Sequence, residues 1–131
     1  TPLYSSAASD VYKRQLQRRS WEFIAGTAPH RAEQNPNDLA QRELREETGY
    51  RAATVTKVGC IDVAPGFVDQ VQHVFLMRDL TPGSPEREDT EADIVCRWWP
   101  LPKLKKSISA GLINDAQTLA AWSLVQLHVE F

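Results

Sequence analysis

A nine-residue stretch constrains the fold and chemistry of this chain more than any other part of its sequence. Residues 42–50 carry three glutamates and end in a glycine and an aromatic residue: Arg42, Glu43, Leu44, Arg45, Glu46, Glu47, Thr48, Gly49 and Tyr50. On a helix, side chains three and four positions apart share a face, with Cβ atoms roughly 5–6 Å apart. Glu43 and Glu47 are therefore predicted neighbours, flanked by Glu46, and their like charges repel unless a positive group lies between them.

Two interpretations of this helix remain open at the level of spacing. In one, the carboxylates bind a hard divalent cation, and oxygen ligands suit Mg²⁺ or Mn²⁺. In the other, the helix has a solvated face on which the glutamates pair with Arg42 and Arg45. In both, Gly49 supplies the left-handed residue that ends the helix.

Composition limits the class of protein. The chain has 131 residues, enough for one domain with one core. Its formal net charge of −2 predicts neither nucleic acid nor a membrane as a partner. An anionic substrate would therefore need local positive groups or a bound metal. Cys60 and Cys96 lie in strand-like runs without metal-ligand spacing, and they predict reduced, buried thiols in a cytoplasmic protein.

Turn residues and hydrophobic patterning divide the chain into strands and helices. Residues 21–26 predict a strand that ends at a glycine turn. Asn35 and Pro36 predict the start of the helix that runs to about Thr48. Further strands and helices are predicted over residues 54–63, 71–80, 94–99, 103–110 and 115–129, and residues 64–70 form a turn-rich connection.

The first fifteen residues do not fit this pattern. They are rich in Ser and Ala and show neither a strand period nor a helix period. We expect residues 1–15 to be a disordered or non-native leader and residues 16–131 to form the domain.

Residues 42–50 resemble the second half of the Nudix box. That box reads Gly, five residues, Glu, seven residues, then Arg-Glu-apolar-any-Glu-Glu-any-Gly-apolar, and all nine final positions agree in type if Tyr50 counts as apolar. The first half departs, because six residues separate Gly26 from Glu33 and eight more precede Arg42. Either Glu33 takes the place of the first glutamate, or Gln34, which has the right spacing to Arg42, replaces it.

Residues 21–128 resemble more specifically the ADP-ribose pyrophosphatase branch of that family. Residues 64–70 are similar to its Ser-Pro-Gly loop, although Gln70 stands where that loop usually ends in Glu. The resemblance implies an α/β fold with a mixed sheet sandwiched between helices. The branch has further N-terminal strands that build a homodimer and part of the nucleotide pocket, and residues 1–20 do not look like them. We therefore expect a domain that lacks some N-terminal strands and that dimerises if those strands are present.

The resemblance also implies an activity and a set of site residues. The activity is Mg²⁺-dependent hydrolysis (Mn²⁺ being possible) of a nucleoside diphosphate, in first place ADP-ribose to AMP and ribose 5-phosphate. The implied metal ligands are the backbone carbonyl of Ala25 and the carboxylates of Glu43, Glu46 and Glu47. The implied general base comes from the acidic loop before the last strand, where Glu91 is preferred over Glu88. The implied contacts to the nucleoside are Pro65, Gly66, Phe67 and Gln70.

Two other functions are compatible with the same residues. One keeps the hydrolysis and changes the substrate to GDP-mannose or another dinucleotide or sugar nucleotide. The other is a Nudix domain that binds a nucleotide without turnover. The intact glutamates of residues 42–50 argue against the second, whereas Gln70 and the irregular spacing at Glu33 and Gln34 favour it.

Overall fold

The residues that the structure describes form five strands and three helices. The structure is a computed structural model that describes residues 5–13 (backbone only), 18–25, 35–86 and 95–129. In chain order the elements are β1 (Ser5–Lys13), β2 (Arg18–Phe23), α1 (Pro36–Thr48), β3 (Arg51–Asp62), β4 (Val71–Thr81), β5 (Val95–Pro100), α2 (Leu101–Ser109) and α3 (Ala116–His128). The predicted α/β composition is confirmed, and every element predicted after residue 20 is present within a few residues of its predicted bounds.

The strands form two sheets whose described pairings are antiparallel. One sheet has the order β2-β1-β5, and the other is the pair β3-β4. Ala8 faces Phe23 on one side and Arg97 on the other, so β1 is the central strand of its sheet. Ser5–Lys13 is therefore not disordered, contrary to one of the two alternatives for residues 1–15, whereas the alternative of a non-native leader stays a prediction. Strand preference depends strongly on neighbouring strands, and a Ser- and Ala-rich segment can pair through its backbone without showing an apolar alternation.

The ends of α1 are built as its sequence predicts. The side chain of Asn35 accepts a hydrogen bond from the Asn37 N–H (2.8 Å), and Pro36 occupies the first turn. At the other end Gly49 has a φ of 78°, and its N–H donates to the Arg45 carbonyl over 2.9 Å. The helix thus begins and ends at fixed residues, and this fixes the position of the glutamates along it.

Helix α3 joins the two sheets. Trp122 of α3 packs in one buried cluster with Trp99, Leu104 and Ile113, whereas Ala121 packs in a second with Val58 and Val74. Phe23 and Val125 pack against both clusters. Because the two sheets share no strand pairing in the described residues, this apolar contact through α3 is what holds them together.

The first turn of α3 is hydrogen-bonded to the end of β2. Thr118 is 3% exposed, and its hydroxyl accepts from the Phe23 N–H over 3.1 Å. The same hydroxyl donates to the Asp115 carboxylate (2.8 Å), which also caps the helix by accepting from the Thr118 N–H (2.9 Å). The path of the chain at Phe23 therefore depends on a side chain 95 residues away.

One cysteine lies on an unexpected face. Cys60 is exposed and its Sγ lies 3.4 Å from Nδ1 of His73, whereas Cys96 is half-buried; both are free thiols. The prediction of two buried thiols is therefore wrong. The β3–β4 register shifts between Lys57 and Gly59, and such a bulge reverses the alternation of faces. Cys60 consequently points away from the face that buries Val58.

We expect Thr118→Val to destabilise the fold without changing side-chain volume. The variant leaves the buried Phe23 N–H without its acceptor, which should lower the free energy of unfolding by about 1–3 kcal/mol in urea denaturation. Ser123→Ala, at an exposed position of the same helix, is the control and should change it by less than about 0.5 kcal/mol. Equal effects of the two substitutions would contradict a role for this hydrogen bond.

Candidate active site

Two of the three glutamates of α1 are buried. Glu43 is 8% exposed and Glu47 is 5% exposed, and Leu44 between them is 7% exposed. A carboxylate that leaves water at the protein surface loses hydration, and its burial is tolerated only beside hydrogen-bond donors, a cation or a metal. The interpretation of α1 as a solvated acidic face therefore does not apply to Glu43 and Glu47.

The third glutamate is held by an arginine of the same helix. Oε1 of Glu46 lies 3.6 Å from Nε of Arg42, four residues earlier. The Glu46 side chain is partly exposed, so this pair lies at the rim of the buried face. The contact is the pairing of a glutamate with Arg42 that the spacing of the helix allows.

The chain after β4 passes directly over the carboxyl-terminal end of α1. The Glu86 N–H donates to the Glu46 carbonyl over 2.9 Å, and the Glu86 carboxylate lies 3.4 Å from Nε of Arg45. A Cβ added at Gly83 would stand 2.6 Å from the carbonyl oxygen of Gly49. From the sequence, Arg45 was expected only to pair with glutamates on the helix surface, and Glu86 was not identified as a site residue. The turn signal at residues 82–83 was the only indication that the chain after β4 approaches the end of α1.

The connection between β3 and β4 is an exposed hairpin loop. The N–H groups of Phe67 and Val68 both donate to the Ala64 carbonyl over 2.9 Å. The Val63 N–H donates to the Gln70 carbonyl (3.1 Å), which closes the loop. Phe67 is 93% exposed, so its ring does not pack in a core. Pro65 and Gly66 are also exposed, and Gln70 is half-buried. The loop follows the last residue of β3, whereas α1 precedes the first residue of that strand.

The remaining predicted site residues are only partly placed. Ala25 is exposed and lies two residues after the end of β2, where Phe23 is hydrogen-bonded to Thr118. Gly26, Glu33, Gln34, Glu88 and Glu91 lie outside the described residues. Within the described ranges, no three His, Cys, Asp or Glu side chains form one cluster suited to a metal ion. What α1 contributes is a buried pair of carboxylates, with Glu46 turned toward Arg42.

The end of α1 is enclosed by aromatic and hydroxyl contacts as well. The Thr48 hydroxyl donates to the Leu44 carbonyl (2.6 Å) and accepts from the Tyr50 N–H (3.0 Å). The Tyr50 ring meets Trp98 edge to face, with centroids 5.0 Å apart. These contacts hold the turn that follows Glu47 against β5.

None of the helices that the structure describes has both the length and the apolar character needed to cross a bilayer.

Comparison with known proteins identifies the class to which this fold and helix belong. The family model of the NUDIX domain matches residues 11–121, which is most of the chain. A solved structure described as the crystal structure of an ADP compounds hydrolase superposes with a TM-score of 0.79 at 22% identity, covering 92% of this chain and 63% of that one. The chain belongs to the Nudix family, and the Nudix-type α/β fold expected from residues 42–50 is confirmed.

The curated relatives carry related names. An ADP-ribose pyrophosphatase of Mycobacterium tuberculosis is 36% identical over 110 residues, which are 83% of this chain and 53% of that protein. An ADP-ribose pyrophosphatase of Bacillus subtilis is 34% identical over 117 residues, 88% of this chain and 62% of that protein. The ADP compounds hydrolase NudE of Escherichia coli is 29% identical over 89 residues, 68% of this chain and 47% of that protein. The chain thus spans about half to three-fifths of the length of these relatives.

We expect Gly49→Ala to destabilise the protein more than Gly111→Ala. Both glycines have a positive φ (78° and 81°), so each alanine adds left-handed strain of about 1–2 kcal/mol. A Cβ at Gly111 meets nothing within 4 Å, whereas a Cβ at Gly49 collides with the Gly83 carbonyl. Thermal or urea unfolding of the two variants measures the difference, and equal losses would show that residues 82–86 do not press on the end of α1.

Proposed function

We propose that this protein is a Nudix pyrophosphohydrolase that uses a divalent cation to hydrolyse ADP-ribose to AMP and ribose 5-phosphate. The observation that carries the proposal is the burial of Glu43 and Glu47 one turn apart in the family's motif helix. The names of the two relatives at 34–36% identity support the substrate. One water is consumed: its oxygen joins one phosphorus, and the bridging oxygen leaves with the other phosphate.

The donor set of α1 fits a hard cation. Carboxylate oxygens are the ligands that Mg²⁺ and Mn²⁺ prefer, and two buried carboxylates give a site of strong negative potential. In this proposal Glu43 and Glu47 hold the cation directly, Glu46 is a third ligand or binds through a water, and the backbone carbonyl of Ala25 is a further ligand. When bound, Mg²⁺ supplies neutralisation of diphosphate charge and activation of water.

The protein's own residues supply binding and proton transfer. Phe67 offers an uncovered ring for stacking on a nucleobase, with Pro65, Gly66 and Gln70 shaping the loop around it. Glu91 or Glu88 accepts the proton of the attacking water, and Glu46 supports that step from the helix. Arg42 keeps Glu46 oriented from 3.6 Å away.

The same proposal includes the class of substrate, the cellular compartment, the oligomeric state and the preferred ion. Its substrate is a small-molecule nucleotide, its compartment is the cytoplasm, and it works as a homodimer if the N-terminal strands that the resemblance implies are present. Mg²⁺ is the preferred ion, and Mn²⁺ replaces it. A second candidate substrate class is other ADP-linked compounds, which the name of the relative at 29% identity favours.

Incubation of the protein with ADP-ribose and Mg²⁺ should release AMP and ribose 5-phosphate in equal amounts, as measured by chromatography. Turnover should be lost with EDTA and restored with Mg²⁺ or Mn²⁺, because the buried carboxylates need the cation. GDP-mannose and NADH, tested in parallel, should react more slowly. Saturable nucleotide binding without turnover of any of these would show a binding domain instead of an enzyme.

Glu47→Gln should lower kcat at least about 100-fold, or ~2.7 kcal/mol, because it removes a buried ligand charge while keeping the side-chain volume. The affinity for Mn²⁺, measured by electron paramagnetic resonance, should fall with it. Asp38→Asn, at an exposed position of the same helix, is the matched control and should leave both quantities near wild type. Undiminished activity of Glu47→Gln would refute its assignment as a ligand.

A further inference from the structure

The end of α1 and the segment after β4 meet at two points. The first point is a backbone contact. A Cβ on Gly83 would stand 2.6 Å from the carbonyl oxygen of Gly49, and a Cβ on Gly49 would collide with the Gly83 backbone in turn. The two segments of the chain can approach this closely only because both residues lack a side chain.

The second contact point lies three residues further along the chain and involves both the backbone and the side chain of Glu86. Its N–H donates to the Glu46 carbonyl over 2.9 Å, and that carbonyl belongs to the last turn of α1, whose carbonyls have no partner within the helix. Its carboxylate lies 3.4 Å from Nε of Arg45. Two contact points three residues apart fix the direction of the chain as well as its position.

The ion pair adds little to stability. The Arg45 side chain is 37% exposed and that of Glu86 is 57% exposed, and ion pairs this open to water contribute weakly to folding. Its effect is therefore on placement: it holds the Glu86 side chain over the helix turn that contains Glu46 and Glu47. A role in placement predicts loss of rate with the fold intact.

The segment held in this way leads into the acidic part of the chain. Glu88 follows Glu86 by two residues in the sequence. An acidic side chain of that stretch that takes part in the reaction on α1 therefore follows a residue whose position is fixed by the contact between Arg45 and Glu86. A shift of about 1 Å in a reacting group can cost a large factor in rate.

We propose that the Arg45–Glu86 ion pair, together with the Gly49–Gly83 contact, is a clamp that positions the chain after β4 against the carboxylate helix for hydrolysis. Arg45 and Glu86 are positioning residues in this proposal, which rests on the proposed function. Arg45 stands at a motif position where the family pattern allows any residue, so the clamp is a feature of this chain's own sequence.

The experiment compares Arg45→Gln, Glu86→Gln and the exchanged pair Arg45→Glu with Glu86→Arg in the whole chain, with ADP-ribose and Mg²⁺. Each single variant should lower kcat about two- to fivefold with KM within about twofold of wild type, because an ion pair this exposed to water biases the placement only weakly. The exchanged pair should recover most of the loss. The urea midpoint should remain at the wild-type value in all three. Asp79→Asn, which alters an exposed contact to Thr54 near the same end of β4, is the control and should leave kcat unchanged.

Three results would overturn the clamp. These are wild-type kcat in both single variants, a rise in KM with Arg45→Gln alone (which would make Arg45 a substrate contact), and failure of the exchanged pair to recover activity.

Hydrogen exchange separates this proposal from the proposed function. The Glu86 amide should be protected in the wild type and exchange about two- to fivefold faster in Arg45→Gln, since the segment that carries this N–H is then held less firmly against α1. A protected amide in a protein that does not turn over ADP-ribose would refute the proposed function and leave the clamp standing. An unprotected amide in an active wild type would refute the clamp alone.

Discussion

The burial of two carboxylates on one helix is the constraint on which the rest of the structure depends. Glu43 and Glu47 are both less than a tenth exposed, and such a placement is stable only if the helix is held firmly and compensating charge can reach it. Asn35 fixes where α1 begins and Gly49 where it ends. The segment that ends at Glu86 then lies over the final turn. A helix free to slide or fray would expose these charges to water and lose the site.

The local features of the site could be predicted from the sequence, because caps and helix periodicity depend on a few neighbouring residues. Asn35, Gly49 and the facing glutamates were all predicted, and the Nudix family was confirmed. The predictions that did not hold concern features that depend on contacts between residues far apart in the sequence. The strand Ser5–Lys13 forms through partners about 10 and 90 residues away, and its small side chains give no apolar alternation. Cys60 is exposed because of a bulge between Lys57 and Gly59, and the isolated Gly59 in the strand is the sequence signal for it.

Two separate contacts connect the site to the β2-β1-β5 sheet. Through the first, Thr118 sets the path of β2 just before Ala25, the proposed main-chain ligand. Through the second, Tyr50 and Trp98 hold the turn after the carboxylate helix against β5. The hairpin loop with Phe67 has no such support, and its ring stands almost wholly in water. The described elements that carry the proposed metal ligands are thus held by these contacts, whereas the proposed recognition of the nucleoside falls to a more open loop.

The hydrogen bond between Phe23 and Thr118 has a consequence for how the protein is made. Its two residues are 95 positions apart, and Val125 completes the packing that both sheets share. On a ribosome, β2 and α1 are synthesised well before α3, so they emerge without the helix that joins the sheets. The early segments must wait, with apolar surface uncovered, until residue 125 has left the exit tunnel. Long-range closure of this kind slows folding and extends the period in which a nascent chain needs chaperones.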